Sequence, residues 1–300
     1  MTAIEIVEVS PRDGLQNDPS DMSTESKADL IVQLVSAGIR RVEVTSFVSP
    51  TAVPKMADAE SLMTLLRGRE LESARLMALV VNERGVARAA AAGVHEVNIV
   101  VVASDTFSWR NQGISADGML DRLTGLVGAA RDARMGASIT VAAAFGCPFE
   151  GEISLGRLEE TIGPVVAAQP DEIALADTIG VAVPTEVTER VGLLKHLAGP
   201  AIQLRAHFHD TRNTAIANAY AAIEAGVTAL DTSLGGLGGC PFAPKATGNL
   251  ATEDLAYALA RSHVETGLDL PTILKISQWL AGVVDHPLPS RVARAGLFPP

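Results

Sequence analysis

Cysteine is almost absent: of 300 residues only Cys147 and Cys240 carry a thiol. Two thiols cannot build a disulfide framework and fit a reducing compartment, so a cytoplasmic location is expected. Basic residues are the minority charge, 24 Lys and Arg against 35 Asp and Glu. The resulting net charge of −11 argues against a nucleic-acid or membrane partner, although a local basic patch could still hold a phosphorylated ligand. Long hydrophobic runs are also missing, since stretches such as "VNIVVVAS" fall well short of the ~18 apolar residues of a membrane span. The opening "MTAIEIVEVSPRDG" alternates into a strand at once, with neither the basic nor the apolar part of a signal peptide.

What is present is a pattern. Short β-branched runs recur at 4–9, 41–46, 75–81, 95–102, 139–145, 172–177, 204–209 and 227–233. Between them lie Ala- and Leu-rich segments of helical period, several of which end in Gly, at 38, 93, 136, 199 and 226, where a left-handed cap would sit. Strict alternation implies parallel strands, because parallel neighbours need crossover connections. Eight such units in this length predict an α/β fold, a closed (β/α)₈ TIM barrel. With no low-complexity linker, the reading is one barrel over 1–266 and a helical appendage over 267–300 containing "PTILKISQWLAGVV". The apolar surface of that helix around Trp279 could cover a second copy in a homo-oligomer.

In such a barrel the strand ends and the loops that follow them form the active face. Arg12, Asp13 and Gln16 follow strand one, Glu43 lies on strand two, Asp177 ends strand six, and Cys240 and Asn249 follow strand eight. On strand seven, "RAHFHDTRN" places His207 and His209 two residues apart, so both imidazoles leave one face of the strand together. That suits one metal ion, yet two nearby histidines can equally be polar residues at a strand end. Arg12 and Asp13 alone could be a surface ion pair, and Cys240 alone a small buried hydrophobe. Their clustering at one rim is harder to explain by packing, because buried polar groups cost free energy unless paired or ligated.

The stretches "VEVSPRDGLQND", "VEVTSFVSP", "GCPFEG", "ADTIGVAVP", "HFHDT" and "GGLGGCPFAPKATGNLATEDL" resemble the 3-hydroxy-3-methylglutaryl-CoA lyase family, within the wider group of metal-dependent Claisen-type lyases and synthases. The resemblance runs from about residue 4 to residue 280. It implies a divalent metal, Mg²⁺ or Mn²⁺, on Asp13, His207, His209 and Asn249, and an acyl-CoA substrate. It also implies a retro-Claisen cleavage in which His207 or Asp13 takes the hydroxyl proton, Arg12 stabilises the enolate oxygen and Cys240 returns a proton. Glu43 and Asp177 would orient Arg12, the ligands or the substrate. Gln16 would contact substrate or Arg12, and Arg212 would form part of the substrate rim. Glu253 and Asp254 would stand near the site, or simply supply the acidic first turn of a helix. Arg110, Asn111 and Lys245 are candidates for CoA phosphates by position, with an ordinary solvated role equally open. Cys147 reads as structural.

Departures bear on the substrate. Members of the family typically read "HDTYGQA" where this chain has "HDTRNTA", and Thr140 and Ala174 stand where a tyrosine and a serine are usual. Reaction type is therefore better determined than substrate, and citramalyl-CoA is a competitor to hydroxymethylglutaryl-CoA. A condensing synthase of the isopropylmalate type shares the barrel and the histidine pair, but usually has an acidic residue where Leu15 stands and lacks the "GLGGCP" loop. A non-catalytic barrel would be expected to have lost at least one ligand or acid.

Overall fold

The structure, a computed structural model, describes residues 3–239 and 248–298. Eight parallel strands close a barrel in sequential order: β1 (Glu5–Glu8), β2 (Arg41–Ser46), β3 (Arg75–Val80), β4 (Glu96–Val102), β5 (Gly136–Ala142), β6 (Glu172–Asp177), β7 (Gln203–Phe208) and β8 (Ala229–Thr232), with β1 pairing both β2 and β8. The expected (β/α)₈ barrel is the observed fold. The strands are rich in apolar residues because they are covered on both faces; every residue of β2, β6 and β8 is buried.

Helices α1 (Thr24–Ser36), α2 (Ala59–Leu66), α3 (Glu83–Ala92), α4 (Asp105–Gln112), α5 (Ala116–Leu120), α6 (Leu123–Asp132), α7 (Leu155–Ala167), α8 (Pro184–Ala198) and α9 (Ala215–Ala225) form the outer layer. Beyond β8 come α10 (Thr252–Arg261), α11 (Leu270–Val284) and α12 (Arg291–Ala295). Ser23, Asn82, Ser104, Ser115 and Ser154 each accept a backbone N–H at a helix start, a cap worth about 1 kcal/mol. Among the described residues, no helix is long and apolar enough to cross a membrane.

Gly38, Gly93, Gly199 and Gly226 have positive φ, as the terminal-glycine pattern predicted, whereas Gly136 does not. That helix stops at Asp132, Arg134 makes the left-handed turn at φ 60°, and Gly136 opens β5. Strand five accordingly begins three residues before the expected 139. A two-stranded ribbon, Gly146–Cys147 with Gly151–Glu152, follows it.

Two kinds of interior hold the barrel. The main apolar core lies between strands and helices, and a small plug of Val7, Val9, Met77 and Ala229 forms a separate cluster. The rest of the lumen is ionic. Arg41 on β2 bonds Glu172 on β6 at 2.8 Å, and these strands are not neighbours, so the contact crosses the barrel. Glu172 accepts from Arg205 at 2.6 Å, and Arg205 bonds both oxygens of Asp231 at 2.7 and 2.8 Å.

Candidate active site and metal centre

The chain enters the site through a tight turn over Ser10–Gly14, in which Pro11 presets the first backbone angle. This turn carries Arg12 and Asp13 across the C-terminal mouth of the barrel. Arg12 is buried: its Nε donates to Glu43 Oε2 at 2.5 Å and its Nη1 to Asp13 Oδ1 at 2.6 Å. Glu43, fully buried, is steadied by Asn98, whose Nδ2 donates to Oε1 at 2.9 Å. The pair therefore differs from an exposed ion pair, since its charges are removed from water and leaving any one alone would be costly.

Alternation on β7 sends His207 and, just beyond the strand, His209 to one side, their rings 5.2 Å apart, while Phe208 packs on Phe145 in the apolar layer. Asn249 is brought beside them because the segment after the glycine-rich loop pairs back onto the end of β7. Asp210 N donates to Gly248 O at 3.0 Å and Leu250 N to Phe208 O at 2.9 Å. Asp13, His207 and His209 each direct one potential ligand atom into a space where all lie within 4.8 Å of one another. Asn249 Nδ2 donates to Asp13 Oδ2 at 2.8 Å and to Leu237 O at 3.0 Å. Its Oδ1 is buried with no hydrogen-bond partner among the described residues. An orphaned buried acceptor costs about 1–3 kcal/mol, which a cation would relieve. A carboxylate, two imidazoles and an amide oxygen fit a divalent ion of mixed N/O preference.

The electrostatics agree with that reading. Burial pushes the Asp13 carboxyl upward, but Arg12, the two histidines and the Asn249 hydrogen bond overcome it and hold it at about 2. Burial lowers His207, yet the Asp231 carboxylate and Asp13 prevail and raise it above the ordinary histidine value.

The other expected site residues are held by different partners, although Asp177 is close enough to His207 for the two charges to interact. Asp177 does not touch Arg12; its two oxygens accept Val181 N at 2.9 Å and Ala182 N at 3.0 Å, shaping the loop before α8, and burial raises its carboxyl. Asp254 accepts Ser290 Oγ and the amides of Arg291 and Val292, so its described contacts fasten the start of α12. Glu253 is buried beneath the glycine segment, where Gly235 N donates to both oxygens at 3.0 and 2.9 Å. It is thus neither an exposed helix-start charge nor part of the ligand cluster. Arg212 Nη1 donates to Gly180 O at 2.7 Å, clamping the loops after β6 and β7 together. Gln16 is half-buried on the entry turn. Thr140 Oγ1 donates to Asn98 Oδ1 at 2.8 Å inside the barrel. Cys147 is buried against Ser104 Oγ at 2.9 Å and takes two backbone amides, in keeping with its structural reading. Arg110 stacks over Phe149 at 4.3 Å and Asn111 is exposed beside it on α4. Cys240 and Lys245 lie outside the described residues.

Three residues escaped the sequence reading: Asn98, Arg205 and Asp231. The signal for Arg205 was available, since it sits two residues before His207 and so shares its inward face. Asp231 gives no such signal, because its proximity to His207 arises from pairing between β7 and β8.

A closed β/α barrel whose strand ends bring together a carboxylate, two histidines and a buried arginine defines a barrel enzyme with a candidate metal centre. The HMGL-like family model matches residues 3–280. The (R)-citramalyl-CoA lyase of Chloroflexus aurantiacus is 40% identical over 99% of this chain and 96% of its own. Mitochondrial hydroxymethylglutaryl-CoA lyase of Rattus norvegicus is 38% identical over 97% of this chain and 89% of its own. Among solved structures, an HMG-CoA lyase from Acinetobacter baumannii in complex with coenzyme A and 3-methylmalate superimposes with a TM-score of 0.93 at 37% identity, covering 99% of this chain and 96% of that one. The chain belongs to the HMGL-like family, and it is a carbon–carbon lyase.

Proposed function

We propose that this lyase cleaves a branched 3-hydroxyacyl-CoA by a retro-Claisen reaction, with 3-hydroxy-3-methylglutaryl-CoA as its substrate and acetyl-CoA and acetoacetate as products. The observation that carries the reading is the convergence of Asp13, His207 and His209 beside a buried arginine, with Asn249 bonded to Asp13 and its own Oδ1 buried and unpartnered among the described residues. These four side chains would hold Mg²⁺ or Mn²⁺. The bound ion supplies Lewis acidity toward the substrate hydroxyl and carboxylate.

In the cleavage the tertiary hydroxyl loses its proton and its oxygen forms the ketone. The C2–C3 bond breaks, and its electron pair becomes the thioester enolate, which is then protonated at carbon. Asp13 and His207 are the candidate bases that the family resemblance implies. Arg12, fixed by Glu43, presents a cation where enolate charge develops, an interaction that acts on the transition state more than on bound substrate. Cys240 is the proposed donor to the enolate carbon.

Citramalyl-CoA, shorter by one methylene, is the second reading. It is supported by the 40% identity to the Chloroflexus aurantiacus lyase and by the departure at Thr140. One extra methylene is worth only about 1–3 kcal/mol in a pocket, so overall similarity separates the two poorly.

Purified protein with Mg²⁺ or Mn²⁺ should release acetyl-CoA and acetoacetate from hydroxymethylglutaryl-CoA, followed by mass spectrometry, and lose the activity to chelator. Pyruvate from citramalyl-CoA in a parallel reaction would establish the second reading. Cleavage of neither thioester would overturn the proposal. In the same assay Cys240→Ala should cut turnover by about 10²–10⁴-fold, and unchanged turnover would remove its assigned role.

A further inference from the structure

We infer that Asp231, fixed in turn by Arg205, is a positioning residue that holds His207 as the tautomer able to ligate a metal through Nε2. The inference rests on the metal-centre reading above but concerns residues outside the ligand cluster. His207 and Asp231 are register partners on β7 and β8, and Asp231 Oδ2 lies 3.1 Å from His207 Nδ1. An ionised carboxylate can only accept, so the proton of a neutral ring belongs on Nδ1. Nε2 is then left with the free lone pair, the ring atom available to the cluster shared with Asp13 and His209.

Asp231 is itself anchored. Arg205 Nη1 spans both of its oxygens at 2.7 and 2.8 Å, and Arg205 Nε donates to Glu172 at 2.6 Å. Glu172 also accepts from both terminal nitrogens of Arg41 at 2.8 Å, and Arg41 Nε donates to Glu96 at 3.0 Å. All five side chains are buried. A long flexible cation beside an acid could sample many geometries in water, but here Arg205 is held by Glu172 at one end and spans both oxygens of Asp231 at the other, so the carboxylate is kept beside the ring.

The ladder also carries a charge. Three carboxylates, Glu96, Glu172 and Asp231, face two guanidinium groups, Arg41 and Arg205, and Glu5 adds a further contact to Arg41 at 3.3 Å. The Asp231 carboxylate at the His207 end favours a cation at the opposite side of the ring. A carboxylate behind a ligating histidine also raises its basicity toward a metal. A second arm joins the other side of the site: Arg205 Nη2 lies 3.4 Å from Asn98 Oδ1, and Asn98 supports Glu43, which holds Arg12 against Asp13.

The test reads the ring directly. Apo wild-type protein labelled with ¹⁵N in its histidine rings, with His207 assigned by its loss in His207→Gln, should show a protonated Nδ1 and an unprotonated Nε2 once the pH leaves the ring neutral. Adding Mg²⁺ should move the Nε2 resonance while Nδ1 keeps its proton. An Nε2–H tautomer, or a metal shift confined to Nδ1, would overturn the inference. Calorimetric titration with Mn²⁺ gives the second measurement, in which Asp231→Asn should weaken affinity by about 10–100-fold, the range for loss of such a supporting carboxylate. A folded Asp231→Asn variant with wild-type affinity also overturns it. If the variant does not fold, the spectra of the wild type still decide. Wild-type protein that takes up no Mn²⁺ would sink the metal-centre reading, and the tautomer alone would then decide the Asp231–His207 relation.

Discussion

At the scale of single residues, burial decides which charges survive in the folded protein. Arg12 and Asp13 are ionised partners, whereas Glu253 is a buried acid with no cation among its described contacts. Burial raises its carboxyl to about 7 from a starting value of 4.5, helped by the charge of nearby Glu8 and opposed by the amide of Gly235. The folded state therefore binds this proton more tightly than the unfolded chain does. Its stabilising contribution is complete below about pH 4.5 and is lost as the pH rises through about 7, a swing of roughly 3 kcal/mol. Glu253→Gln should remove that part of the pH dependence. In urea titrations from pH 5 to pH 8, the variant should gain roughly 2–3 kcal/mol on wild type across the range. Parallel stability curves for the two proteins would show that Glu253 is already ionised at pH 5.

At the scale of elements, the site depends on two backbone segments packed nearly without clearance. A Cβ at Gly248 would fall 1.7 Å from Gly236 O, so the chain must move to admit one, and the residue that moves with it is Asn249. Gly248→Ala should lower Mn²⁺ affinity by about tenfold or more, measured by calorimetry beside a melting curve. Unchanged affinity would mean that the Asn249 amide does not depend on this contact. The elements themselves were largely legible. The strands were marked by short runs of apolar and β-branched residues, and β2 and β6 occupy the expected residues 41–46 and 172–177. Helix α4, by contrast, reads DTFSWRNQ and buries only Phe107 and Ser108, so no apolar period marks it. The ligand cluster was visible because its residues stand in recognisable motifs at strand ends. Asp231 was not, because a neighbour across a strand pair is set by register, which one strand's sequence does not contain.

At the scale of the whole molecule, charge fills part of the barrel lumen, and that arrangement joins its far end to the site. Arg41, 2% exposed, answers Glu96 and Glu172 together, and the latter also holds Arg205. Buried ion pairs add little net stability over apolar packing, but removing one partner strands the others, at a cost of about 3–5 kcal/mol. Arg41→Met should incur that loss in guanidinium denaturation. Added salt should not restore it, because screening acts weakly on buried charges. Arg41→Met combined with Glu96→Met should recover part of it by removing the acid left without a cation, since Glu172 keeps Arg205. Mn²⁺ affinity should change far less in Arg41→Met than in Asp231→Asn, since Arg205 still spans both oxygens of Asp231. A stability within about 1 kcal/mol of wild type would show that water reaches Glu96 and Glu172 and screens them. An equal fall in metal affinity for the two variants would instead show that the ladder responds as a single unit from the barrel floor to His207.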